Sequence, residues 1–224
     1  MTKSVVSQNL KASNNVLISP NASSLSISQT DSSPLKLGVM ASGSGTNFEA
    51  VAKAIADGRL NAEIKVLIYN NPEAKVKERA QKYGTPAVLI DHRQYKQRKE
   101  LDRRIVEVLK SYGVDWVIMA GWMRIITKVL LDAYPNRVIN IHPSLLPSFK
   151  GIRAIEQALA AKVKITGCTV HLVSLEVDSG DIIMQAAVPI LPDDNLDTLH
   201  KRIQIQEHNI FPKAIAMAAL GNGE

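Results

Sequence analysis

From Leu35 onward the chain alternates short β-rich runs with amphipathic stretches, and this alternation is what most restricts its fold. Strands are predicted over Lys36–Met40, Ile64–Tyr69, Ala87–Ile90, Trp116–Ala120 and Val138–Ile141. Between them, helical spacing runs through Phe48–Asp57, Ala74–Tyr83, Lys96–Tyr112 and Lys128–Ala133; Leu101, Ile105, Val108, Leu109 and Tyr112 form one such stripe. Strands separated by helix-length crossovers pair in parallel, because a tight hairpin cannot return the chain in the same direction. After a helix over Ala154–Ala161 the pattern changes. Thr166–Val173 and Asp181–Val188 are two runs joined by a short loop and are predicted to pair antiparallel, and Asp194 or Asn195 then caps a long last helix carrying Leu196, Leu199, Ile203 and Ile210. The expected class is α/β: an open Rossmann-like sheet, parallel in its N-terminal strands and antiparallel in its C-terminal ones, with helices on both faces.

Residues 1–34 differ in kind. They are rich in Ser and Asn, hold no aromatic residue and end in Asp31-Ser32-Ser33-Pro34, so they read as a disordered tail before a single domain over 35–224. The tail has no continuous apolar centre, as a secretory signal would, and only Lys3 and Lys11 where a transit peptide would carry arginines. No run approaches the roughly 18 apolar residues of a membrane helix, so no membrane role is expected. One cysteine, Cys168, cannot close an internal disulfide, and no Cys/His cluster has metal-ligand spacing. A reducing, cytoplasmic setting without a metal is the expectation. The formal charge of +6 invites an anionic partner, yet the three Phe, two Trp and five Tyr leave little to stack on bases, and the basic residues between Lys75 and Arg104 are interleaved with acids. No nucleic-acid role is expected.

In open α/β sheets ligands gather at the carboxyl ends of the strands. The unusual residues fall there: Gly43-Ser44-Gly45-Thr46-Asn47 after the first predicted strand, Gly121-Trp122-Met123-Arg124 after the fourth, and Asn140-Ile141-His142-Pro143 at the end of the fifth. A glycine turn leading into a helix presents free N–H groups to an anion and suits a phosphate, although it is also compatible with a merely tight turn. Phe48 stands where a dinucleotide fingerprint needs a small residue, and Asn70-Asn71 end the second strand where an acid is required, so NAD is not expected. Asn140 and His142 alternate on an extended segment and so share a face. An amide beside an imidazole is suited to holding an oxyanion and supplying a proton; the plainer alternative is a pair of hydrogen-bonded loop residues.

Six segments together resemble the phosphoribosylglycinamide formyltransferases of purine synthesis. They are Gly43 to Asn47, Ala120 to Arg124, the run Asn140-Ile141-His142-Pro143-Ser144-Leu145-Leu146-Pro147, Gly167 to His171, Val177 to Gly180, and Gln206 to His208. The resemblance extends from about Lys36 to the C-terminus. It implies a catalytic set of Asn140, His142 and Asp178, a substrate phosphate held by Gly45, Thr46 and Asn47, and a contact from Glu207 to the glycinamide ribonucleotide. It also implies that Arg98, Met123, Arg124, Ile125 and Ile126, with Asn140, lie along a folate, 10-formyltetrahydrofolate, acting as cosubstrate. Asp178 would orient His142 and favour its protonated form through its opposite charge. One departure stands out: the family usually has Pro-Gly-Leu-His where this chain has Lys150-Gly151-Ile152-Arg153, and the two basic residues are expected to attract the anionic tail of the folate.

A formyltetrahydrofolate hydrolase would share the trio but need no phosphate turn, and a non-catalytic sensor of a phosphorylated ligand would need the turn but not the trio. His171 is expected to be a structural histidine, His92 and His200 to face solvent, and Cys168 to be a small core residue, while His208 is left without a role. Oligomeric state is not legible.

Overall fold

The structure, a computed structural model, describes residues 16–20 and 33–221. Eight strands form one sheet: β1 (Ile18–Ser19), β2 (Leu35–Ala41), β3 (Ala62–Tyr69), β4 (Ala87–Leu89), β5 (Trp116–Met119), β6 (Val138–His142), β7 (Ile165–Leu172) and β8 (Ile182–Pro189), in the order β1-β8-β7-β6-β5-β2-β3-β4. The strands from β2 to β6 pair in parallel, and β6·β7, β7·β8 and β1·β8 pair antiparallel. The helices are α1 (Thr46–Ala56), α2 (Val76–Lys82), α3 (Arg98–Ser111), α4 (Lys128–Ala133), α5 (Ala154–Ala160) and α6 (Leu196–Gly221). The expected class and, from β2 onward, the expected order of elements are those observed.

Strand alternation divides the core in two. Leu37, Val39 and Ala41 of β2 face a layer holding Phe48 and Val51 of α1 and Ile203, Ile210 and Phe211 of α6. Met40 faces the opposite layer, with Leu101, Ile105 and Leu109 of α3 and Leu130 of α4. Each such fully buried aliphatic or aromatic side chain contributes roughly 1.5–3 kcal/mol of transfer free energy, which is what clamps helices to both faces. The long α6 begins in a reciprocal cap: Thr198 N–H donates to Asn195 Oδ1 at 3.0 Å, and Asn195 N–H to Thr198 Oγ1 at 3.0 Å. Of the two candidate caps, Asn195 serves; Asp194 instead holds Arg202 at 2.6 Å.

Two sequence expectations change. Within the predicted tail, Ile18 and Ser19 pair with Ala186 and Gln185 of β8, Ala187 N–H donates to the Leu17 carbonyl at 2.9 Å, and Val16 and Ile18 pack on the core. A two-residue strand has no periodicity to read. The rest of the predicted tail, 1–15 and 21–32, lies outside the described residues. His92, expected in solvent, is half-buried, its Nδ1 donating to the Asn70 carbonyl at 3.0 Å.

Among the described residues no helix is long and apolar enough to cross a membrane, and no group of three or more His, Cys, Asp or Glu side chains is placed to hold a metal ion.

Candidate active site

The chain runs from β2 outward to β3 and β4, then crosses back to the other side of β2 to lay down β5 and β6. The order therefore reverses between β2 and β5, and at such a point the loops leaving neighbouring strands diverge and open a crevice. The loop after β2 carries the glycine turn, and the loop after β5 carries Gly121 to Ile126. They are tied together: Ser42 N–H donates to the Gly121 carbonyl at 3.0 Å, and Met123 N–H to Ser42 Oγ at 2.8 Å. The far end of the second loop is held by buried Asp102, whose Oδ2 accepts from Thr127 N–H at 2.5 Å.

On β6, Ile139 and Ile141 enter the core while Asn140 and His142 share the other face, which opens into a cavity of about 520 Å³. His171 lies directly opposite Asn140 in the β6·β7 register. Its Nδ1 donates to the Leu172 carbonyl at 2.7 Å, which leaves Nε2 of the neutral ring as an acceptor, 3.2 Å from Asn140 Nδ2. One amide hydrogen of Asn140 is thereby committed and its plane fixed. Asp178 stands between the two histidines, with Oδ2 3.4 Å from His142 Nδ1 and Oδ1 3.7 Å from His171 Nε2. Burial works to raise the Asp178 carboxyl, but the attraction of His171 and His142 in their protonated forms and the Gly151 N–H at 2.8 Å outweigh it and hold the pKa below the usual carboxylate range. The expected trio is thus brought together, and His171, expected to be only structural, joins it.

Two loops roof this cluster, 149–153 and 174–180. Phe149, Arg153 and Asp178 all adopt the left-handed region, with φ of 56°, 56° and 51°. Such a conformation costs a side chain of ordinary size about 1–3 kcal/mol, and it persists only where surrounding bonds over-determine it. Here they do: the Phe149 carbonyl accepts from His142 Nε2 at 2.8 Å, and Gln157 Nε2 donates to the Ile152 carbonyl at 2.9 Å. Lys150, expected to reach toward a folate tail, instead donates to Ser179 Oγ at 2.5 Å and Glu176 Oε1 at 3.2 Å.

The cavity wall is largely apolar. Met123, Ile125, Ile152, Leu175 and Val177 line it with exposed side chains, Ile126 lines it buried, and Arg124 and Arg153 stand exposed at its rim. Arg98, at the exposed start of α3, is not among the lining residues.

A second polar cluster surrounds the glycine turn. Gly45 has φ 76°, and a Cβ there would come within 2.3 Å of Val76 Cγ2 and 2.9 Å of its Cα, so both conformation and space demand glycine. Thr46 and Asn47 open α1 and are engaged from α6: Gln204 Nε2 donates to Thr46 Oγ1 at 3.0 Å, and Asn47 Nδ2 to Glu207 Oε2 at 3.1 Å. Burial pushes the Glu207 carboxyl up, only partly offset by Asn47. Asn47 Oδ1, Gln206 Oε1 and His208 Nε2 are buried without a partner among the described residues. Arg79 Nε donates to the Ser44 carbonyl at 2.8 Å, and burial together with the Arg79 charge lowers the His208 pKa. Gln204, Arg79 and His208 were not read from the sequence as neighbours of the turn. Their spacing on α6 and α2 carries no chemistry until the helices pack on α1.

The formyl transferase family model matches residues 35–215. The chain is 41% identical over 186 residues to the human trifunctional purine biosynthetic protein adenosine-3, covering 83% of this chain and 18% of that one. It thus spans less than a fifth of the human relative's length. It is 41% identical over 180 residues to phosphoribosylglycinamide formyltransferase from Bacillus subtilis, covering 80% of this chain and 92% of the relative. The fold is similar to that of glycinamide ribonucleotide transformylase 1 from Symbiobacterium toebii, with a TM-score of 0.82 at 45% identity, covering 84% and 89% of the two chains.

Proposed function

The chain belongs to the formyl transferase family, among the phosphoribosylglycinamide formyltransferases, and from that premise we propose that it moves the formyl group of 10-formyltetrahydrofolate onto the amine of 5-phosphoribosylglycinamide in de novo purine synthesis. The observation that carries this reading is the meeting of Asn140, His142 and Asp178 at the foot of an apolar cavity, beside a loop that Met123 ties to the glycine turn. The formyl donor would lie along Met123, Arg124, Ile125 and Ile126. Flat apolar walls with Arg124 and Arg153 at the rim fit a conjugated ring system that ends in carboxylates. Arg98 would meet only the part of the donor that extends past the cavity.

The donor supplies an activated formyl carbon. As the amine bonds to that carbon its oxygen gains negative charge, the bond to the folate nitrogen breaks, and one proton passes from the amine to the leaving nitrogen. The protein's work is to hold that oxygen and steer the proton. Asn140 has one amide hydrogen committed to His171, which leaves the other for the oxyanion. His142 donates Nε2–H to the Phe149 carbonyl, and in turnover this hydrogen is shared with the formyl oxygen. Asp178, kept ionised, faces the other ring nitrogen at 3.4 Å and orients the ring. Gly45, Thr46 and Asn47 would receive the ribose phosphate on backbone N–H groups at the start of α1, and buried Glu207 would accept from ribosyl or amide hydrogens. A cytoplasmic setting accords with Cys168, buried and with its thiol pKa pushed up by that burial, which disfavours thiolate chemistry.

The test is the loss of 10-formyltetrahydrofolate measured with and without glycinamide ribonucleotide. Loss that depends on the ribonucleotide is expected. Equal loss in its absence would make the protein a hydrolase, and no loss in either case would make it a binding protein.

A further inference from the structure

The structure gives Lys150 work at the base of the catalytic cluster. Lys150 sits between two residues whose backbones contact the trio: the Phe149 carbonyl accepts from His142 Nε2 at 2.8 Å, and Gly151 N–H donates to Asp178 Oδ2 at 2.8 Å. Its own ammonium crosses to the facing loop, reaching Ser179 Oγ at 2.5 Å and Glu176 Oε1 at 3.2 Å. Ser179 immediately follows Asp178, and its hydroxyl oxygen accepts from Lys150 on a lone pair while its hydrogen goes to the Val177 carbonyl at 3.0 Å. The loop backbone on either side is strained, with the non-glycine residues Phe149, Arg153 and Asp178 all at positive φ. Strained loops hold their shape only under tension from bonds such as these.

We propose that Lys150 is a positioning residue, a clasp between loops 149–153 and 174–180 that sets Asp178 against His142 before substrate arrives. It touches neither reacting group, and its effect passes through the Gly151 amide on one side and the Ser179 hydroxyl on the other. This inference rests on the formyl-transfer reading for its kinetic consequence but not for its geometry.

The experiment is Lys150→Met, which keeps the aliphatic stem, alongside Lys150→Arg, Ser179→Ala and the Lys150→Met/Ser179→Ala double variant. Charge-assisted hydrogen bonds that are partly exposed to solvent give modest effects. The expected loss in kcat for Lys150→Met is therefore about three- to tenfold, with the KM for the ribonucleotide within about twofold. Exchange of the Gly151 amide hydrogen, followed by NMR, should quicken by a similar factor. Lys150→Arg should restore most of both, and the double variant should lose little more than the worse single one, since both changes open the same clasp. A lower melting temperature with kcat and Gly151 exchange unchanged would reduce Lys150 to a structural tie. A rise in kcat would mean that the clasp restrains the ring instead of aligning it. Either result overturns the proposal. If the parent shows no ribonucleotide-dependent formyl loss, the functional reading fails, while Gly151 exchange still decides whether Lys150 holds the pair.

Discussion

Asp178, half-buried in the cavity, and Glu207, buried beside the glycine turn, are carboxylates whose surroundings push them in opposite directions. Asp178 faces two imidazoles and a backbone N–H and is held below the usual range; Glu207 has one amide for company and is pushed above it. The first end of the site is electrostatically complete before anything binds. The second is a set of partly satisfied groups, with Asn47 Oδ1 and, near Arg79, His208 Nε2 buried without a partner among the described residues. Under the proposed function, the difference separates chemistry from recognition. Preorganised charge lowers a barrier because nothing must reorganise when charge develops, whereas unsatisfied polar groups gain most when a ligand supplies their partners.

The largest expected effect tests whether the complete end is the catalytic one. Asn140→Ala and His142→Ala should each lower kcat by about 100- to 1000-fold, the usual cost of one oxyanion donor, with much smaller changes in KM. Steady-state kinetics reads both numbers. If turnover stayed within about threefold of the parent in both variants, a donor role of this size would be lost, and the contrast between the two ends with it.

Next comes an exchange of charge for amide at each end. Asp178→Asn should act on kcat, by about 10- to 100-fold, because the negative charge facing His142 Nδ1 is lost beside the proposed oxyanion donors. Glu207→Gln should act mainly on the KM for the ribonucleotide, by about tenfold, the worth of one hydrogen bond to a charged group. Should Glu207→Gln lower kcat and leave KM alone, the division between chemistry and recognition would be drawn in the wrong place.

The same two variants should differ in the sign of their effect on stability. Asp178 has a depressed folded pKa, so its contribution is present above its unfolded value and is lost as pH falls through the folded one. Glu207 has a raised folded pKa, so the fold takes up a proton there, and stability falls as pH rises from the unfolded value, about 4.3, through the raised one. Glu207→Gln removes that penalty while keeping an acceptor for Asn47. It should stabilise the protein at pH 8 by about 1–2 kcal/mol and make little difference near pH 4. Asp178→Asn should destabilise at pH 8, with the deficit shrinking in acid. Chemical denaturation at the two pH values would expose a shared sign, which would refute the assignment of opposite environments.

Much of this site was legible in the sequence because its residues are local. Asn140 and His142 alternate on one strand, and the glycine turn announces itself between a strand and a helix. His171 was not legible as a member: alternation on β7 shows only that it points to one face, and its partner Asn140 is 31 residues away, chosen by the antiparallel register. Lys150 was read only as a charge toward the folate tail, and its contacts were hidden for the same reason, since Glu176 and Ser179 lie 26 and 29 residues further on. Ile18 and Ser19 were hidden because a strand of two residues draws its order from the β8 edge and not from its own pattern.

The smallest expected effect asks whether the recognition end alone attracts an anion. Inorganic phosphate should stabilise the protein by about 1.4 kcal/mol at ten times its dissociation constant, seen as a modest rise in melting temperature. The N–H groups at the start of α1 offer it donors and a favourable dipole. At the other end, Asp178 and Glu176 present negative charge, and His142 has its Nε2–H already donated to Phe149. Phosphate should therefore compete with the ribonucleotide and not with the folate. Thr46→Val removes the hydroxyl that now accepts from Gln204, and should weaken both the thermal shift and the competition together. If phosphate instead competed with the folate alone, the anion site would belong to the cavity and its arginine rim, and the two ends would have to be exchanged.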